Sequence, residues 1–155
     1  MLKELKSGIN DVIFKGNATV VHPLNLYGCK IGNNCFIGPF VEIQRGARIG
    51  DNTRIQSHSF ICDKVTIGSN CFIGHGVMFI NDTFSETLKP TYSEAEGRWK
   101  ETVIEDSVTI GSNVTILPVK ICSGAVIGAG SVVTKNITAP GVYAGNPARL
   151  LRVIK

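Results

Sequence analysis

Along most of the chain an apolar residue returns at every sixth position: Ile31, Ile37, Ile43, Ile49, Ile55, Ile61, Ile67, Ile73 and Phe79. Two positions before each stands a smaller side chain: Cys29, Cys35, Val41, Ala47, Thr53, Ser59, Val65, Cys71 and Val77. A period of six fits neither a helix nor one long strand, and repetition of this kind marks stacked repeats. It fits a short strand and a turn, repeated. In Cys35-Phe36-Ile37-Gly38, strand alternation sends the small residue and the isoleucine to one side and their neighbours to the other, so the former pair faces inward. A second period lies over the first: Ile31-Gly32-Asn33-Asn34, Ile49-Gly50-Asp51-Asn52 and Ile67-Gly68-Ser69-Asn70 recur every three units. Three sides therefore close one circuit. Asn34, Asn52 and Asn70 fall at a corner, where a left-handed backbone suits Asn better than most residues. The predicted object is a three-sided solenoid whose coils bury their isoleucines against those above and below.

These units resemble the hexapeptide repeats of left-handed parallel β-helices, and the chain is identified as a member of the hexapeptide acyltransferase family. The hand comes from the resemblance, since spacing alone leaves it open and the usual rule for parallel crossovers favours the opposite one. The expected fold is all-β: one left-handed parallel β-helix over 1–155, with a long excursion loop at about 83–102 and a short C-terminal helical segment. Residues 1–24 show no clear six-residue register and read as an irregular first coil that caps the core. The register begins near Tyr27 and stops at Asn81-Asp82. It resumes at Ile104, Val108 and Ile110-Gly111-Ser112-Asn113. The polar stretch between carries Glu86, Lys89, Tyr92, Glu94, Glu96, Arg98, Trp99 and Lys100, and a loop of this length inside regular repeats points to function. After Ile116 the next ladder residue is Ile121, five on, so one residue is lost at the corner holding Pro118.

Composition changes this picture little. The net charge of +4 carries no basic cluster and argues against nucleic acid as a partner, although it would help attract an anionic ligand such as a nucleotide. Five cysteines are an odd number. Cys35 and Cys71 share a column two coils apart, about 10 Å, which is beyond disulfide reach, and Cys29, Cys35 and Cys71 read as small core fillers. No signal peptide, membrane-spanning run or lipidation motif is visible, and a cytoplasmic protein is expected. Outward positions are bulky in two columns, Phe36, Arg54, Phe72 and Glu42, Phe60, Met78, which suggests self-association. The resemblance implies a homotrimer with active sites between subunits.

The run Ala125-Val126-Ile127-Gly128-Ala129-Gly130-Ser131-Val132-Val133-Thr134-Lys135, with Gly145-Asn146-Pro147-Ala148-Arg149, is similar to the ending of acetyl-CoA-dependent members. The resemblance implies acetyl-CoA as co-substrate, with no metal. Pro118, Gly128, Ala129, Thr134, Lys135, Asn146, Pro147 and Arg149 are the candidate contacts. Small residues admit a ligand close to the backbone, and Lys135 and Arg149 suit phosphate. The plainer reading gives the glycines to turns and leaves the cations solvated.

Gly74-His75-Gly76-Val77-Met78-Phe79-Ile80-Asn81-Asp82 ends the ladder where the loop leaves. This segment and the loop resemble nucleotide-sugar N-acetyltransferases of the UDP-2-acetamido-3-amino-2,3-dideoxy-glucuronate type, which serve O-antigen and capsule pathways. Asn81 falls on the asparagine that contacts the sugar amine there. Asp63 falls where another branch carries its catalytic histidine. Acylating an amine needs an unprotonated nucleophile, an oxyanion donor and a proton acceptor. Asn81 can orient the amine but cannot take its proton, whereas the imidazole of His75 can, unless it only caps backbone groups at a corner. Asn81, His75 and Asp63 are therefore the catalytic candidates, with His58, Asp82, Arg98 and Trp99 as substrate contacts. Other readings stay open: an O-acetyltransferase acting on a sugar or small hydroxyl, a metal-dependent carbonic anhydrase-like β-helix, or a scaffold without catalysis. His22, His58 and His75 lie 36 and 17 residues apart, which speaks against a shared zinc site within one chain.

Overall fold

Each six-residue unit forms a strand of two or three residues and a corner. The residue just before each small inward position turns the corner by adopting a left-handed backbone, as at Asn34, Asn52, Asn70 and Asn113, with φ of 54° to 57°. Gly28, Gly46 and Gly76 do the same. The computed structural model describes residues 1–83 and 98–154; among them are twenty-one strands and no helix.

The strands stack into three parallel faces of a left-handed β-helix of about seven turns. Face one holds Gly8–Asn10, Asn25–Tyr27, Glu42–Ile43, Phe60–Ile61, Met78–Phe79, Thr115–Ile116 and Val132–Val133. Face two holds Ile13–Phe14, Lys30–Ile31, Arg48–Ile49, Val65–Ile67, Thr102–Ile104 and Lys120–Ile121. Face three holds Ala18–Val20, Cys35–Ile37, Arg54–Ile55, Phe72–Ile73, Thr109–Ile110 and Val126–Ile127, then Gly141–Gly145 and Ala148–Val153. Isoleucine pairs with isoleucine between coils, as in Ile31↔Ile49 and Ile37↔Ile55.

The ladder and the small positions are buried as expected, Ile31 through Phe79 being at most 4% exposed. Burial of each isoleucine is worth roughly 1.5–3 kcal/mol, so the stack supplies a core without a globular interior. Polar members of the small column are satisfied across coils. Thr53 Oγ1 donates to the Gly68 carbonyl at 2.8 Å and accepts from Cys71 N at 3.1 Å; Ser59 does the same with Gly74 and Val77. Glycines after the isoleucines meet a different need. A Cβ on Gly74 would stand 2.7 Å from the carbonyl carbon of Gly111 in the coil above.

Two expectations change. The first coil is regular: Phe14, Val20 and Leu26 pair with Ile31, Ile37 and Ile43. They continue the six-residue ladder downward, and the lost residue between Leu26 and Ile31 hides them. The C-terminal segment is no helix but the strand Ala148–Val153, antiparallel to Gly141–Gly145. Gly141–Gly145 closes face three, and a helix would leave its outer N–H and C=O groups bare, whereas a hairpin pairs them. The excursion falls where expected. Phe72 pairs with Thr109, thirty-seven positions on, where Arg54 and Phe72 are eighteen apart, so this turn of the register takes nineteen extra residues. Thr102 is back in register with Val65 and 1% exposed. Residues 84–97, with Glu86, Lys89, Tyr92, Glu94 and Glu96, lie outside the described residues.

Replacing Ile49, 4% exposed, by Asp should unfold the chain at room temperature, because an unpaired buried carboxylate costs several kcal/mol, comparable to a domain's whole stability. Arg48→Asp, on the exposed side of the same strand, should leave the thermal midpoint within a few degrees of wild type unless a subunit contact covers it. Equal midpoints for Ile49→Asp and wild type would contradict the register.

The cysteines are free thiols, four of them buried. Burial pushes Cys29 up to about 11 and Cys62 up to about 12, and raises Cys35 and Cys71. Unfolded thiols ionise near pH 8.5, so above that pH the unfolded chain loses protons that the folded chain keeps. Their contribution is complete below about pH 8.5 and falls as pH climbs toward 11 to 12. Urea melts at pH 7.5 and pH 10 should show this loss, and a Cys29→Ala/Cys62→Ala variant should show less of it.

Candidate active site

The candidate residues lie along two edges of the prism. On the edge between faces one and two, Asn81 sits one coil above Asp63. Its side-chain Nδ2 donates to the Asp63 carbonyl at 3.2 Å, while its own carbonyl accepts from Lys100 N at 2.9 Å. The amide is thus pinned through its nitrogen, and among the described residues no hydrogen bond reaches Oδ1. Asp63 accepts from Lys64 N at 2.6 Å, and its carboxylate fills the space where a Cβ on Gly46 would stand. Lys64 Nζ reaches the Trp99 carbonyl at 3.1 Å, tying the returning end of the excursion to this edge. Arg98 is half-buried, and its Nε and Nη2 are buried without a hydrogen-bond partner among the described residues. Asp82 is half-buried beside Asn81 in the chain. Higher on the same edge come Pro118, then exposed Thr134 and Lys135 after the strand Val132–Val133.

His58 and His75 lie on the edge between faces three and one. His75 is exposed, and its Nδ1 stands 2.8 Å from Ser57 Oγ in the coil below. When Nδ1–H donates to that hydroxyl, Nε2 is left as the basic nitrogen. Ser57 was not among the sequence candidates; its signal is the eighteen-residue coil, which puts position 57 beneath position 75. His58 turns its corner at φ 64° and stacks on Phe40, with ring centroids 4.8 Å apart. At the top of this edge are exposed Ala129 and the hairpin turn Asn146-Pro147, fixed by Gly145 N donating to Ser131 Oγ at 3.1 Å. Arg149 Nη1 donates to the Ala148 carbonyl. At half-buried Gly128 a Cβ would meet Ala144 Cβ at 2.9 Å, so its missing side chain makes room for the closing strand.

His75 and Asn81 are therefore not neighbours within one chain. They stand at opposite edges of face one, about 15–20 Å apart at roughly 3.3 Å per residue. A cavity of about 610 Å³ beside Leu5, Lys6, Asn10 and Tyr27 lies at the first coils and touches none of these candidates. His22, His58 and His75 follow one edge, yet among the described residues no three His, Cys, Asp or Glu side chains are grouped to hold a metal. No helix among them is long and apolar enough to cross a membrane.

Residues 28–63 match a family profile described as bacterial transferase hexapeptide (six repeats). Residues 64–78 and 101–135 match one described as hexapeptide repeat of succinyl-transferase, and the gap brackets the excursion. A hexapeptide-repeat acetyltransferase of Vibrio cholerae is 31% identical with a TM-score of 0.62, over 77% of this chain and 73% of that one. The chain belongs to the hexapeptide-repeat acyltransferase family. The Vibrio cholerae enzyme complexed with acetyl coenzyme A aligns with 29% identity and a TM-score of 0.68, over 83% of this chain and 72% of that one. The bifunctional protein GlmU of Thermodesulfovibrio yellowstonii is 42% identical over 109 residues, 69% of this chain and 21% of that protein. Among the GlmU relatives the chain spans 21% to 28% of their length. A mutant of AntD, an N-acyltransferase of Bacillus cereus in complex with dTDP and coenzyme A, shares the fold, with a TM-score of 0.75 at 20% identity over 94% of this chain and 84% of that one.

Proposed function

We propose that this chain transfers the acetyl group of acetyl-CoA to the amine of a UDP- or dTDP-linked amino sugar for surface glycan synthesis. The observation that carries the reading is the held amide of Asn81 at the mouth of the excursion, its nitrogen committed to the Asp63 carbonyl and its oxygen available to accept from an amine N–H. The family and the acetyl coenzyme A seen in the Vibrio cholerae relative support the donor. The dTDP and coenzyme A bound to AntD, an N-acyltransferase of the same fold, support the acceptor class.

In the reaction the amine lone pair attacks the thioester carbonyl and a C–N bond forms. The tetrahedral adduct then expels CoA as thiolate, and the ammonium proton is lost to a base. His75, oriented by Ser57, is the base in this reading, with Asp63 as the other acceptor within the chain. The two edges work together only between copies, so the active unit is a homotrimer in which the His75 edge of one copy faces the Asn81 edge of the next. Exposed Phe72, Met78 and Ile80 border the faces that would meet. The row of Pro118, Thr134 and Lys135 above Asn81 suits coenzyme A, with Lys135 near phosphate. A hydroxyl acceptor would fit the same edge, and assaying the sugar with OH in place of NH₂ separates the two.

Asn81→Ala should lower kcat/KM by on the order of a hundredfold, because misplacing a nucleophile by about 1 Å costs that much. His75→Ala should lose roughly 10²–10⁴-fold at neutral pH and less at high pH, where the free amine is abundant. Activity of His75→Ala within a few-fold of wild type across the pH range would remove the base assignment and leave Asn81 standing.

Multi-angle light scattering at micromolar concentration should give three times the 16.7 kDa chain mass. A monomer would contradict sites shared between copies.

A further inference from the structure

The edge between faces three and one carries an aromatic group that the mechanism above does not use. Its upper corners are turned by Gly76, Asn113 and Gly130, residues that suit a left-handed backbone, but two lower ones are turned by Phe40 at φ 59° and His58 at φ 64°. A phenylalanine in this region is an outlier, and such outliers gather at ligand sites. The ring is 56% exposed and stacks on His58 with an interplanar angle of 25°. A cavity of about 240 Å³ adjoins it, lined also by Pro23, Leu24, Asn25 and Glu42. Glu42 accepts from Asn25 Nδ2 at 3.4 Å and from Gln44 Nε2 at 3.0 Å. A carboxylate has further lone pairs to offer a ligand N–H.

We propose that Phe40, backed by His58, is the stacking platform for the nucleobase of the nucleotide-sugar substrate, with Glu42 accepting an N–H from the base edge. The inference rests on the acceptor class proposed above and adds the site that holds its nucleotide. The base presents a planar π-face that a phenyl ring supports whatever its sequence of donors and acceptors. His75 lies two coils above Phe40 on the same edge, about 10 Å at roughly 4.8 Å per coil, a gap for the ribose and diphosphate to cross. A subunit contact is the competing use of an exposed ring.

Calorimetric titration of UDP, dTDP and CoA into the full chain tests the platform, using Phe40→Asn, which removes the ring but suits the backbone, and Phe40→Tyr, which keeps a ring. Phe40→Asn should weaken whichever nucleoside diphosphate the wild type binds by about 10- to 100-fold, the loss of one stacked base. CoA affinity and oligomer mass should be unchanged, and Phe40→Tyr should bind within a few-fold of wild type. Equal nucleotide affinity of Phe40→Asn and wild type would overturn the platform alone. So would a change in oligomer mass, which makes the ring a subunit contact, or a loss confined to CoA. Absence of UDP and dTDP binding by the wild type would overturn the acceptor class, and the platform with it.

Discussion

Backbone stacking at one strand spacing per coil is the constraint from which the rest follows. Coils held roughly 4.8 Å apart leave no room between the flat corners for side chains. Hence glycine follows so many ladder isoleucines, as at Gly74, whose missing Cβ lets the Gly111 backbone approach. The same spacing aligns each inward residue with its like above and below, and each outward residue with one eighteen positions away. Side chains far apart in sequence thereby form straight rows along the prism.

The proposed function draws on the place where this regularity is broken. The repeat register breaks after Asp82 and returns at Thr102, and the coil beneath supplies the carbonyl that fixes Asn81. The amide is positioned by the solenoid, not by the loop, so its geometry inherits the rigidity of the stack. On the neighbouring edge, Ser57 does for the His75 ring what the Asp63 carbonyl does for Asn81. A prism of this kind holds His75 and Asn81 firmly but keeps them apart, so the proposed mechanism requires association between copies.

The inward half of the structure was readable because burial enforces a strict period. The ladder, the small column, the Asn corners and the cysteine column all emerged from spacing, and the structure agrees at each. The first coil escaped because the single residue missing between Leu26 and Ile31 shifts Phe14, Val20 and Leu26 out of phase. The closing hairpin escaped because Leu150, Leu151 and Val153 are apolar yet exposed, a run that fits several structures equally well. Outward positions carry no period, so Ser57 beneath His75 and Phe40 beneath His58 were not legible until the coil length was applied to them. His75 and Asn81, six apart in sequence, read as neighbours, but six residues span one whole face. Gly128 read as an opening for a ligand, and that its missing side chain makes room for the closing strand was not legible.

The most direct test of the account is a crystal structure with coenzyme A and a UDP- or dTDP-linked amino sugar. The sugar nitrogen should lie within hydrogen-bonding distance, about 2.7–3.2 Å, of Asn81 Oδ1, with His75 of an adjacent copy on the same amine and coenzyme A along the Pro118 and Lys135 row. An amine lodged at the edge of His58 and His75 of a single copy, with Asn81 empty, would contradict it.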